Sequence, residues 1–251
     1  VESVTHDIVN ANKLGCTIIR VIHDVNPRIL KRLAPVAEKY NVILALEIHA
    51  PSYYDSEFEQ QLLKLFQKLG SPYLGFTLDL GVFCKRMPRV AKERLIRDGM
   101  KPSIAEYLST AYENKTLPIV NELGQRNDAL ATKVLQMGGT EEDVYASFMA
   151  THMIYADPKK MLDYIPYTYH IHGKFYEMLP DYTEFSIPYE EVITVLVQGG
   201  YKGYIDSEYE GNRWIQDAFE VDSTEQVRRH QEMLKHLLGE QSNPVRAAEF
   251  I

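Results

Sequence analysis

Apolar residues fall along this chain in two alternating patterns. Five short, nearly continuous apolar runs, at 17–23, 42–49, 74–80, 167–172 and 204–208, have the length and composition of buried strands. The stretches at 1–14, 27–40, 55–69, 188–198 and 222–238 instead repeat apolar residues every three to four positions, the period of a helix with one buried face. In 1–14 that face is Val4, Ile8, Ala11 and Leu14; in 55–69 it is Phe58, Leu62, Leu65, Phe66 and Leu69. Asn26-Pro27 reads as a cap and first helical turn, and Gly70 as a helix stop. Strands that are apolar along their length, alternating with helices, predict an α/β fold in which a parallel sheet is covered by helices.

The rhythm breaks once. Between the third and fourth strands the signals are helical, at 89–96, 103–114, 119–137, 140–155 and 158–164, separated by Gly99, Pro102, Pro118 and Gly138-Gly139. This reads as a helical insertion at about 84–165 within one connecting loop, in a single domain spanning 1–251 whose last residues, 241–251, form a loosely attached arm. The chain opens on Val1 inside a helical pattern, and five strand–helix units do not close a barrel where eight do. In a (β/α)₈ TIM barrel, about three further βα units, ~90 residues, are expected before residue 1.

Composition narrows the class. The 27 Lys and Arg against 35 Asp and Glu leave a net charge of −8, which opposes phosphate-backbone recognition and hence a nucleic-acid partner. Two cysteines, Cys16 and Cys84, make no disulfide framework, and with no signal segment the expected location is a reducing cytoplasm. No apolar run reaches the ~18 residues of a membrane span.

Ligand-type residues cluster at strand ends. Glu47 and His49 close VILALEIHAP, and their spacing puts both on one face of a strand. Asp79 ends an apolar strand in LGFTLDLGVF. His170, His172 and Lys174 share one parity in YTYHIHGKF, as do Asp206, Glu208 and Glu210 in YIDSEYEG. Each has a bland reading: an Asp or Glu after a strand often caps the next helix, a single histidine is more often hydrogen-bonded in a core, and Lys174 is by default a solvated head on a buried stem. Four successive strands ending in Glu, Asp, His and Glu is hard to obtain by accident. Three carboxylates sit together cheaply only around a cation, and a set of three oxygens and one nitrogen suits one divalent ion, Mn²⁺ or Mg²⁺ before Co²⁺ or Zn²⁺.

Glu47 in LEIHA, Asp79 in TLDLG, His172 in HIHGK and Glu208 in IDSEYEG resemble the metal tetrad of the xylose-isomerase-like TIM barrels, which include the sugar phosphate isomerases/epimerases. The resemblance covers 1–238 apart from the insertion, and it implies that the first strand here is the family's fourth. A narrower likeness joins LEIHAP, the insertion and HGKFYE to the larger subunit of bacterial C-glycoside deglycosidases. Those resemble the same barrel and cleave 3-oxo-C-glycosides by elimination, in complex with a small β-rich partner. The AP-endonuclease branch resembles a multi-zinc site with many more histidines than this chain has.

Both enzyme likenesses imply a metal that polarises a sugar carbonyl while a base removes the neighbouring proton. In the isomerase/epimerase reading, favoured at this stage, Glu47 and Glu208 also exchange protons and His49 orients a substrate hydroxyl. In the deglycosidase reading, a lyase, His49 is the base. Lys174, Arg213 and His170 are expected to bind substrate oxygens or a phosphate, and Trp214 to stack on a sugar or aglycone. A third reading is a scaffold barrel without turnover, with Phe148, Met149, Met153 and Tyr155 as its partner surface. A homo-oligomer is a further expectation for the assembly.

Overall fold

Every apolar run becomes a strand in the computed structural model, which describes residues 1–22, 26–50, 52–116, 128–151 and 155–239. The helix α1 (Glu2–Leu14) ends at Gly15, whose φ of 77° is a left-handed cap that an L side chain strains to adopt. Strand β1 (Ile18–Val21) leads to α2 (Pro27–Tyr40), where Asn26 accepts from the Arg28 amide at 2.9 Å. Strand β2 (Ile43–Ile48) is followed by α3 (Glu57–Leu69), capped by Ser56, and then by β3 (Leu74–Asp79). Next come α4 (Arg89–Arg97), α5 (Pro102–Glu113), α6 (Asp128–Gln136) and α7 (Glu141–Thr151). The chain returns through β4 (Thr168–Phe175), α8 (Tyr189–Gln198), β5 (Tyr204–Tyr209), α9 (Gly211–Ile215) and α10 (Ser223–Leu237).

All four strand pairings are parallel, in the order β1-β2-β3-β4-β5. The α/β class is therefore as expected. Leu44, Leu46, Ile48, Leu74, Phe76 and Leu78 are sealed under Leu30, Leu33, Leu62 and Phe66 of the covering helices, with the Phe66 and Phe76 rings 4.9 Å apart. Among the described residues β1 and β5 pair with no further strand, so the sheet is open, and Tyr204 on β5 is 80% exposed.

Several expectations shift at the edges. Strand β4 continues past residue 172 to Phe175, because Gly173, Lys174 and Phe175 pair with Ser207, Glu208 and Tyr209. Leu14 does not join the buried face of α1 but stands exposed beside the C-terminal cap. The stretch 158–164 makes a 3₁₀ turn, Pro158–Met161, and no α-helix, and a second 3₁₀ turn follows at Ile165–Tyr167. The five-residue α9 is too short to show a period and was not expected. His23, Pro51, Met153, the stretch 119–127 and the tail 241–251 lie outside the described residues.

The helices between β3 and β4 dock onto the far end of the sheet. Arg97 on α4 donates to the carbonyls of Trp214 and Ile215 on α9, at 2.8 and 3.2 Å. Arg89 grips Glu177 through two nitrogens at 2.6 and 2.9 Å, just past β4. No helix among the described residues is long and apolar enough to cross a membrane.

Candidate metal centre

Register brings the ligand-type residues side by side. Asp79 pairs with His172 and His172 with Asp206, while Lys174 pairs with Glu208. Side chains alternate along a strand, so these residues occupy one face at the C-terminal ends of β3, β4 and β5. Glu47, opposite Thr77, joins them from β2. Ligand atoms of Glu47, Asp79 and His172 all lie within 4.8 Å of one another. Glu208 stands just beyond, with Oε2 3.9 Å from His172 Nδ1. The expected four thus converge as a tight three with Glu208 beside them.

Burial and charge make this cluster unusual. Glu47 and Asp79 are buried, and the Glu47 carboxylate meets Arg20 at 3.1 and 3.3 Å and His172 Nδ1 at 2.9 Å. Burial alone would raise the Glu47 pKa, but His172, Arg20 and His49 outweigh it and bring it down to about 2. Glu208 moves the other way: burial first, then Asp79 and Glu210, push it up against the pull of Lys174 and His172. For His172, burial opposes the charged ring, yet Glu47, Asp206 and Glu208 together raise its pKa.

Donor chemistry fits a hard cation. Asp79 Oδ2, His172 Nδ1 and Glu208 Oε2 are all buried; the first meets the Lys174 ammonium at 2.7 Å and the second Glu47 Oε1 at 2.9 Å, while Glu208 Oε2 makes no hydrogen bond. Three lone-pair donors whose buried atoms converge in one place are what a divalent ion would satisfy. A second group, His170, His172 and Asp206, shares His172 with the first, with His170 Nε2 3.7 Å from Asp206 Oδ1.

The remaining site residues fall in different places. His49 leaves the end of β2 about one third exposed, with Nδ1 2.5 Å from the Ala50 carbonyl and Nε2 2.9 Å from Lys174 Nζ. The default picture of Lys174 as a solvated head is wrong: the residue is 2% exposed, and its ammonium lies 2.7 Å from Asp79 Oδ2. Burial works against that charge, but Asp79, Glu210 and Glu208 hold its pKa above the usual lysine value. Arg213 is exposed on α9 and pairs with Glu210 at 3.3 Å. Trp214 is half-buried and packs on the core, its indole N–H without a partner. His170 faces Asp206 and is not brought to the Glu47–Asp79–His172 group.

Three participants were missed in the sequence. Arg20 shows there only as a lone charge in an apolar run. Glu210 shares the parity of Asp206 and Glu208 but was given no role there; it makes no side-chain cap bond on α9 and stands 3.7 Å from Lys174 Nζ. Gly81 gives no chemical signal, but a Cβ there would lie 2.7 Å from Asp79 Oδ1 and 2.8 Å from Lys174 Cδ. Its bare backbone lets its own amide donate to Asp79 Oδ1 at 2.7 Å while the Lys174 stem crosses above. A concavity of about 1160 Å³ between α8, α10 and the loop before α8 shares no residue with the cluster.

Fold and site together define a parallel α/β protein with a carboxylate–histidine cluster at its strand ends. In sequence the chain is a relative of bacterial C-glycoside deglycosidase alpha subunits, which bears out the likeness read from LEIHAP and HGKFYE. It is 31% identical over 231 residues to the 3'-dehydrocarminate deglycosidase alpha subunit of Microbacterium sp, covering 88% of this chain and 65% of that protein. It is 32% identical over 234 residues to a C-glycoside deglycosidase alpha subunit of Arthrobacter globiformis, covering 90% of this chain and 64% of that protein. The chain thus spans about 65% of the length of the curated relatives it matches. No protein-family model matches it. Among solved structures, a xylose isomerase domain protein from Planctomyces limnophilus superposes with TM-score 0.47 at 12% identity, over 95% of this chain and 65% of that one. A D-tagatose 3-epimerase-like protein does so with TM-score 0.45 at 16% identity, over 95% and 68%.

Proposed function

We propose that this chain carries the metal-binding, proton-abstracting part of a C-glycoside deglycosidase, a lyase acting on a keto-sugar C-glycoside beside a smaller, β-rich subunit. The observation that carries this reading is His49. Its Nδ1–H is directed to the Ala50 carbonyl, which leaves Nε2 as the lone-pair nitrogen, one residue pair beyond Glu47 and 3.7 Å from Asp79 Oδ2. Glu47, by contrast, is buried with its oxygens already facing Arg20 and His172, so it has no free face to offer a substrate proton. The sequence similarity to deglycosidase alpha subunits, one of them named for a dehydro (keto) sugar derivative, supports the same choice.

Glu47, Asp79, His172 and Glu208 would hold one divalent ion, Mn²⁺ first on the hardness of the donors. Bound there, the ion would polarise the sugar carbonyl and make the adjacent carbon acid stronger. His49 Nε2 takes the proton from that carbon. The electron pair of the broken C–H bond becomes a new C=C bond, and the bond to the aglycone carbon breaks; that carbon takes up a proton and departs. Arg213, exposed beyond β5, is suited to a sugar hydroxyl, and Trp214 to one wall of the site. The five strands are read as the last five units of a (β/α)₈ barrel, with α4 to α7 inserted.

The test is cleavage of a 3-oxo-C-glycoside by the protein with its partner subunit. His49→Ala should keep its metal and lose about 10²–10⁴-fold in kcat, the usual worth of a general base. A second reading has support in the placement of His172 between Glu47 and Glu208, at 2.9 and 3.9 Å: the two carboxylates exchange protons, as in a sugar epimerase. In that case His49→Ala chiefly raises KM, and wild type moves solvent deuterium into a keto-sugar without cleaving a C-glycoside. A metal-loaded protein that does neither is the scaffold.

A further inference from the structure

Lys174 is, among the described residues, the one buried ammonium in a place where carboxylates, two of them assigned to the metal, already converge. Its Nζ lies 2.7 Å from Asp79 Oδ2, 3.6 Å from Glu208 Oε2 and 3.7 Å from Glu210 Oε1, and 2.9 Å from His49 Nε2. The position is built rather than incidental. Gly81 leaves the groove that the lysine stem fills, the Tyr189 hydroxyl donates to the Lys174 carbonyl at 2.7 Å, and β4 pairs Lys174 with Glu208. A side chain 2% exposed has little water to screen it.

A dication on Asp79 and an ammonium in contact with the same oxygen repel each other strongly in so dry a place. We propose that Lys174 is a resident counter-ion: its ammonium offsets part of the charge of Asp79, Glu208 and Glu210 while the metal is absent, must yield Asp79 when the metal enters, and so sets the metal affinity well below what the ligands alone would give. This rests on the reading of Glu47, Asp79, His172 and Glu208 as the ligand set. The same ammonium also covers the lone pair of His49 Nε2, so its displacement exposes the base at the moment the metal arrives. Removing the charge acts twice in one direction. It leaves the metal-free carboxylates uncompensated, and it relieves repulsion in the loaded protein.

The experiment is calorimetric titration of chelator-treated protein with Mn²⁺ alone, for wild type, Lys174→Met, Lys174→Gln and Lys174→Arg. Both neutral variants should bind Mn²⁺ at least tenfold more tightly, about 1.4 kcal/mol, while Lys174→Arg stays within about threefold of wild type. Melting curves in chelator should show the neutral variants less stable than wild type and gaining more from added Mn²⁺. Binding by the neutral variants alone would support the inference in its strongest form. If wild type binds and the neutral variants bind equally or more weakly, Lys174 is no counter-ion, and the ligand set stands without it. If none of the four proteins binds Mn²⁺, the ligand set itself falls, and this inference with it.

Discussion

Glu59 marks what burial does to a single carboxyl away from the metal centre. It sits on the inner side of α3, 1% exposed, with Ser52 as a hydrogen-bond partner and Oε1 without one. Burial dominates, and its pKa rises from 4.5 to about 7. Below pH 4.5 both folded and unfolded chains carry the proton and the group costs nothing. As pH climbs to about 7, the unfolded chain gives up its proton first, so stability falls across that window and levels off above it. At about 1.4 kcal/mol per pH unit, the loss is on the order of 3 kcal/mol. Glu59→Gln keeps the shape and removes the titration; whatever the amide costs is the same at every pH. Urea denaturation should therefore show the variant gaining on wild type between pH 5 and pH 8, and parallel pH profiles would refute this account. His230 is the complementary case. Fully buried on α10 against the Phe175 ring, it is driven by burial down to about 3 and packs as a neutral ring.

The carboxylates and histidine proposed to hold the metal converge only if their strands stay close, and two glycines make that possible. A Cβ on Gly75 would lie 2.2 Å from the Tyr167 carbonyl, and one on Gly173 would lie 2.4 Å from the Asp206 carbonyl and 2.9 Å from His230 Cε1. Gly173 separates His172 from Lys174, so the middle letter of the HGK motif is a spacing requirement of β4 against β5 and α10. Backbone cannot swing aside as a side chain can, so Gly173→Ala must push β5 outward, at the ~1–3 kcal/mol typical of overpacking. The melting temperature should fall, and Mn²⁺ affinity should fall with it because Glu208 moves away from His172. Unchanged melting and unchanged affinity together would mean that β5 accommodates the methyl without moving.

Across the whole molecule the cluster ties β2, β3, β4 and β5 through one point, where Glu47, Asp79, His172 and Glu208 meet. Like charges brought together in a dry place oppose folding, and an ion that binds only the folded arrangement stabilises it in proportion to its affinity. Added Mn²⁺ should accordingly raise the melting temperature of wild type, and chelator should reverse it. Asp79→Asn and Glu208→Gln should each lower the metal content and lose most of that rise, since a carboxamide brings no charge to hold a cation. A rise of equal size in wild type and both variants would locate the ion elsewhere. The helices between β3 and β4 take part in the same architecture: the Arg97 clamp on α9 holds them to the element that follows Glu208.

Local information in the sequence was enough for the order of strands and helices. Short continuous apolar runs against period 3.6 are a property of neighbours along the chain, and caps such as Asn26 and Gly70 act within a few residues. The convergence of Glu47, Asp79, His172 and Glu208 was legible for the same reason, since a parallel sheet sets all its strand ends at one edge, and parity then puts the four on one face. What sequence alone could not decide was how deep each group lies and what stands across from it. Lys174 looks like any surface lysine until Gly81 opens a groove for its stem and Asp79 receives its charge, and Arg20 looks like an interruption of a strand until β2 sets Glu47 beside it. Those contacts join residues 95 and 27 positions apart. Their strength depends on water being shut out, which only the packed sheet and its helices bring about.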